Sequence, residues 1–383
     1  MYPASAAFHE AVANGNEQKA LLIFSDAVFT NYDLNVSVGI GFHDHFNMEE
    51  DLAIGQATSN EIEFSLFNDE RLLNDYSFGD FTATLGVKIS ESTYDKAGAL
   101  AAITVGNDTY AAFAASPYLK KNGTAMATQP SQAIVSMLAY NGLLYCFGTS
   151  GSYVTAYNLS TGAAASVTVN AFMKRKAYTQ WAGYGFHYDP STRILTEMKD
   201  GRTKTFEFVP LGNFTAERPN VPDVIQIDFN CNDFMMKFEA DMPDAATLGI
   251  TYPTTIGNLF VKLCENVGVP YRTDTFINST AVISAEPEAF KTATKREVLK
   301  WIAEAAGSNA RFDRDGYLVL DWLRSTQQSY AATHYSEFRP YWYQAPTVNK
   351  LYNRDTNNGS DLTVGTGDEC YLIQDNPLLQ GVS

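Results

Sequence analysis

TTIGNLFVKLCENVGV (254–269), TKREVLKWIAEAAG (294–307) and NARFDRDGYLVLDWL (309–323) decide how this chain folds. In the first, Ile256, Leu259, Phe260, Leu263 and Val267 recur at helical spacing and lay one apolar stripe along a helix. In the second, Thr294 and Glu297 make a T-x-x-E capping box. Val298, Leu299, Ile302 and Ala306 form its stripe, and Gly307 supplies the stop. The third reads as two alternating strands about an Asp-Arg-Asp-Gly turn. Ala310 and Phe312 share one face, and Leu318, Leu320 and Trp322 the inner face of the second run. Two amphipathic helices and a hairpin make a small α+β module with no catalytic constellation in it.

Outward from this module the text turns to strand. The chain has 383 residues, enough for two to three domains at roughly 150 residues each. Hydrophobic residues make up 45% and charged residues 18%, a globular composition, and 22 Tyr with 24 Phe favour strands. No apolar run approaches the roughly 18 residues of a membrane span, and the first 19 residues lack a basic-then-apolar leader, so the expectation is a protein made in a cytosol. Cys146, Cys231, Cys264 and Cys370 are scattered without C-x-x-C spacing and read as reduced core residues. Net charge is −16, which argues against a nucleic-acid-binding surface built from clustered Lys and Arg.

In chain order, residues 1–17 suggest a short helix or an arm. ALLIFSDAVFT (20–30), LNVSVGIGF (34–42), EIEFSLF (61–67) and DFTATLGVKI (80–89) then read as strands of half a barrel or sandwich. Alternation in EIEFSLF places Ile62, Phe64 and Leu66 inward and Glu61, Glu63 and Ser65 outward. Residues 91–202 are rich in Ala, Gly, Ser, Thr and Tyr. There YNLSTG (157–162) echoes YDPSTR (188–193). Two echoes are too few to close a propeller, so hairpins in an inserted β domain are the plainer reading. Barrel-like text returns in TKTFEFVPLGNFTAERP (203–219) and DVIQIDFNCNDF (223–234).

The strings YPTTIGNLFVKLCENVGVPY (252–271), FINSTAVI (276–283) and 294–323, with DLAIGQATSNEIEFSLFND (51–69) and 208–241 upstream, resemble the hub proteins of bacteriophage tails and related contractile injection systems, of the type found in phages of Gram-positive bacteria. The resemblance implies a mainly β fold with α+β parts: barrel-like tail-hub domains, an inserted β domain and the two-helix-plus-hairpin module. On it, residues 1–90 and 203–240 form a first hub barrel, 91–202 the insertion and 241–328 the α+β module. Residues 329–383 form a second barrel-like domain, either a short version or one that stops inside its strand set. The family's role is structural. It is the central hub of the tail tip or baseplate, a homotrimer joining the six-fold tail tube to the three-fold tip and forming part of the DNA conduit. Implied partners are further copies of itself, distal tail and tail-tube proteins, the tape measure protein, and tip or spike proteins. Viral DNA would pass without specific binding, and an acidic conduit wall would repel it. The implied location is the virion, after synthesis in the bacterial host cytoplasm.

The densest polar cluster is GFHDHFNMEED (41–51). An H-x-H pair on a strand turns both imidazoles one way, so His43, His45 and Glu49 are candidate ligands for a divalent metal. No third ligand has a forced position, and an exposed turn between strands is the preferred reading. DRDGY (313–317) resembles the start of a calcium loop, but the strand that follows leaves no closing Glu. There is no G-x-S-x-G, no P-loop and no G-x-G-x-x-G after a strand. No catalytic or cofactor-binding residue is assigned, and no cofactor is expected. The alternative function is a tail-associated cell-wall hydrolase, a peptidase or glycosidase, which clearing of peptidoglycan and sensitivity to substitution of Glu49 or His43 would reveal.

Overall fold

The computed structural model describes residues 4–25, 27–30, 40–43, 54–68, 73, 77–216, 226–272, 276–321, 350–355, 360–365, 370–374 and 376–379. The chain opens with helix α1 (Ala6–Ala13), capped by Ser5, then β1 (Gln18–Phe24), β2 (Val28–Thr30), β3 (Ile40–His43), β4 (Glu61–Phe67) and the long β5 (Asp80–Thr93). Short strands follow: β6 (Ala101–Val105), β7 (Asp108–Ala112), β8 (Leu119–Lys121), β9 (Thr124–Ala125), β10 (Ile134–Tyr140), β11 (Leu143–Gly148), β12 (Val154–Asn158) and β13 (Ala164–Ala165). After α2 (Ala171–Thr179) come β14 (Gly185–Asp189), β15 (Ile194–Lys199), β16 (Arg202–Thr215) and β17 (Gln226–Asp233). The remainder holds α3 (Ala245–Leu248), β18 (Thr254–Thr255), α4 (Ile256–Val267), β19 (Val282–Ile283), α5 (Lys295–Ala305), β20 (Asn309–Phe312), β21 (Leu318–Asp321), β22 (Lys350–Asp355), β23 (Ser360–Gly365) and β24 (Cys370–Gln374). The class is mainly β.

Packing divides the chain into two units, residues 1–40, 64–211 and 217–229 in one, and 41–63, 212–216 and 230–383 in the other. In the first, strands run in the order β13-β12-β11-β10-β14-β15-β16-β5-β1-β2. The described strands of this sheet do not close into a barrel, while the mainly β class expected from the sequence holds. The edge of β14 away from β15 is taken by β10 in parallel register (Met137↔Gly185, Leu138↔Phe186, Ala139↔His187), which carries the sheet on into β11, β12 and β13. A second, four-stranded sheet, β6-β7-β8-β9, buries Ile103, Tyr110 and Leu119 in one core with Met137, Leu144 and Tyr157. The layers touch where β14 has no side chain: a Cβ on Gly185 would land on the carbonyl oxygen of Ala102.

The echoed strings are one turn used twice. Asn158 Oδ1 accepts from the Ser160 and Thr161 amides at 2.9 and 3.1 Å between β12 and β13. Between β14 and β15, Asp189 Oδ1 accepts from the Ser191 amide at 2.9 Å. These are side-chain-built turns of the kind Asn and Asp favour. In β4, Ile62, Phe64 and Leu66 are buried as the alternation predicts, but so is Ser65. Its hydroxyl donates to Asp228 at 2.6 Å, and that partner is what lets a polar residue sit inside.

The second unit is organised around the helix pair. Ile256, Leu259, Phe260 and Leu263 of α4 and Val298, Leu299 and Ile302 of α5 are all buried in one cluster. Thr255 caps α4, whose chain leaves through Gly268 at φ +76°. Thr294 and Glu297 form both halves of the capping box that starts α5. The β20–β21 hairpin is widened on both sides. Residues 54–60 run parallel to β20, with the Gly55 amide donating to Ser308, Ala310 to Gln56 and Thr58 to Ala310 at 2.8–3.0 Å. On the other side Leu318 and Arg272 exchange backbone bonds with Pro270 and Leu318. Further along the chain, Asn376 Nδ2 donates to the Trp301 carbonyl at 2.9 Å and to Glu304 at 2.7 Å, and Leu378 and Leu379 are buried in the same cluster. β22 lies between β23 (antiparallel) and β24 (parallel).

Candidate functional site

His43 stands exposed at the end of β3, while His45 and Glu49 lie outside the described residues. Among the described residues no group of three His, Cys, Asp or Glu side chains is placed to hold a metal ion. The Asp-Arg-Asp-Gly turn uses its carboxylates on protein. Asp313 Oδ1 accepts the Tyr317 amide at 2.9 Å, and Asp313 Oδ2 accepts from Arg272 Nε and Nη2 at 2.9 and 2.7 Å. Asp315 lies 3.6 Å from the same guanidinium. Two donors from one guanidinium converging on a single carboxylate oxygen, with the Tyr317 amide on the other, fix the turn and occupy the Asp313 oxygens a calcium ion would need.

Cys146, Cys231 and Cys264 are buried. Burial pushes the Cys146 and Cys264 thiols up, so both stay protonated near neutral pH and neither is an activated nucleophile. His187, half-buried on β14, is held below the usual imidazole range by the same desolvation.

The most strongly built polar group is one the sequence reading did not single out. Asp233, 1% exposed at the end of β17, accepts the Asn60 amide on Oδ2 at 2.9 Å. Its Oδ1 accepts the Met235 amide at 2.9 Å and the Ser59 hydroxyl at 3.0 Å. Burial pushes its carboxyl up to about 6, against these hydrogen bonds and the Arg296 charge, which pull it down. Asn60 in turn donates from Nδ2 to the Phe312 carbonyl at 3.2 Å. The arrangement ties residues 59–60 to the hairpin and offers no open face for a substrate. A structural fastening is what it can do.

Two concavities lie in the first unit. One is apolar, with a volume of about 50 Å³, and Leu21, Leu138, Tyr140, Trp181, Phe186 and Leu195 are among its walls. Trp181 Nε1 is buried with no hydrogen-bond partner among the described residues. The other is polar, about 300 Å³, and is lined by Tyr184, Glu197, Lys199, Asp200, Arg202 and Lys204 of the β14–β16 region. Beneath it Lys19 and Glu197 form a buried ion pair, with the Lys19 ammonium 4.5 Å from the centre of the Phe206 ring. A sequence signal for the polar concavity existed in Lys199-Asp200-Gly201-Arg202, a two-residue hairpin turn that sets its flanking cations face to face.

No protein-family model matches this chain, and none of the curated proteins does. Among solved structures it is similar to the 43 kDa tail protein of prophage MuSo2 from Shewanella oneidensis, at 10% identity and a TM-score of 0.33, over 93% of this chain and 71% of that one. That neighbour is a prophage tail protein. No helix among the described residues is long and apolar enough to cross a membrane.

Proposed function

We propose that this chain is a structural virion protein, the central hub of a phage tail tip or baseplate, acting through assembly and not through catalysis. One observation carries the reading. The strings that resemble tail hubs are dispersed in sequence, at 51–69, 208–241, 252–283 and 294–323. Their described parts from residues 54–60, 230–241 and both helices pack within a single unit, joined by the Asp233 fastening and the widened hairpin. Parts of the same strings, at 64–67, 208–211 and 226–229, belong to the other unit, so the reading rests on the resemblance together with this shared core of the helix pair.

In this reading three copies, each with two domains, offer near-equivalent surfaces to a six-fold tube, and the partners are tube, tape measure and tip proteins. The test is immunogold labelling of purified tails with antibody to this chain. Label confined to the tip or baseplate supports the hub, and label along the shaft or its absence from particles rejects it. A peptidoglycan zymogram run in parallel separates the wall-hydrolase role, for which a cleared zone is required.

A further inference from the structure

The hairpin at the rim of the polar concavity carries a like-charge pairing. Asp200 and Gly201 form a two-residue turn with φ of +49° and +78°, the primed type that suits tight hairpins. Its register sets Lys199 directly opposite Arg202, and Glu197 opposite Lys204. Like charges directly opposite on antiparallel strands repel. The acids nearby relieve this only in part. Glu197 is held by Lys19 underneath, and Asp200 pairs with Lys96 at 3.1 Å. Glu17 takes Lys204 at 2.7 Å, and Glu91 takes Lys88 at 2.8 Å. Among the described residues the one carboxylate within ion-pair distance of Arg202 is Glu91, at 3.5 Å, and 71% of the Arg202 side chain is exposed. Lys199 pairs with no carboxylate among the described residues, and its ammonium rests 4.1 Å from the centre of the Tyr184 ring.

Two cations therefore stand side by side on the hairpin that lines the concavity, in a chain whose net charge is −16. Departures from local electrostatic sense concentrate at functional positions. We propose that this concavity is a binding site for a small ligand carrying a phosphate-class oxyanion, held between the Arg202 guanidinium and the Lys199 ammonium. The guanidinium fork matches two oxygens of such an anion and the ammonium adds a point charge. Tyr184 keeps the Lys199 head from folding away, because a cation over an aromatic face is itself attracted there. The volume of about 300 Å³ leaves room beyond the anion for a small attached group of polyol size. The site is independent of the hub reading, since it rests on the β15–β16 hairpin and Tyr184 alone.

The test is calorimetric titration of the full chain with inorganic phosphate and with glycerol 3-phosphate, at a fixed ionic strength of about 0.15 M. Saturable binding at one site is expected. Lys199→Ala and Arg202→Ala should each weaken it about tenfold or more, and Lys199→Arg should restore it. Lys295→Ala on α5 serves as the unaffected control. Stronger binding of glycerol 3-phosphate than of inorganic phosphate supports a ligand whose organic part fills the concavity, and equal binding supports a site for the oxyanion itself. Absence of saturation, or equal affinity in wild type and a natively folded Lys199→Ala variant, overturns the proposal.

Discussion

Gly185 sits where β6 crosses closest to β14, and any side chain there collides with backbone, which cannot swing aside as a flexible side chain would. Gly185→Ala should therefore cost about 1–3 kcal/mol, the usual range for overpacking, seen as a lower urea midpoint with unchanged slope. Asp233 makes a prediction with a definite sign. Its carboxyl titrates near 6 in the folded chain against 3.8 for the ordinary group, so between those values the native state keeps a proton that the unfolded chain has released. Stability from this residue is highest in acid and falls as pH rises through that window, by about 3 kcal/mol in all. Asp233→Asn removes the titration. The stability advantage of wild type over this variant should shrink between about pH 4 and pH 7, and an advantage that stays flat over that range would refute the assignment. Neither residue announced itself in the sequence. Gly185 lies in a run that reads simply as strand, and Asp233 meets Asn60 across a sequence separation of 173.

Elements with a strong local signal were legible. The stripes of α4 and α5, the Thr294–Glu297 box and the hairpin read over 309–323 all depend on residues within a few positions of one another, and each formed over the described residues, with the inward position read for Trp322 lying outside them. Helix α2 did not show, because Lys174, Arg175 and Lys176 interrupt any apolar stripe. Lys176 is nevertheless 2% exposed and donates to the Val28 carbonyl at 2.7 Å, so a cation occupies an inward position where the pattern calls for an apolar residue. The parallel β10–β14 pairing was invisible for a related reason: strand text carries no label for its partner. At this scale the residues after β24 behave as a clasp on α5. Leu378→Ala should lose about 2–5 kcal/mol, as large-to-small changes at fully buried positions do. Asn376→Ala should also destabilise, since it leaves the Trp301 carbonyl without that donor, and thermal melts of both variants check the pair.

For the whole molecule, the division into two units was less legible than the class, because each unit is assembled from separated stretches of chain. The hub reading makes a plain prediction of mass. Three copies of the 42.2 kDa chain give about 127 kDa by light scattering, and a closed trimer should hold that value on dilution. A chain that stays at monomer mass even at high concentration would count against self-assembly without its partners. The strip of residues 54–60 laid against β20 has a further consequence, which concerns synthesis. Its partners lie about 250 residues downstream, as the separation of 253 between Gln56 and Asn309 records. At roughly 5–20 residues per second, a ribosome needs on the order of ten to fifty seconds to deliver them. For that interval the nascent chain carries an unmatched strip, so this unit is completed only late in translation.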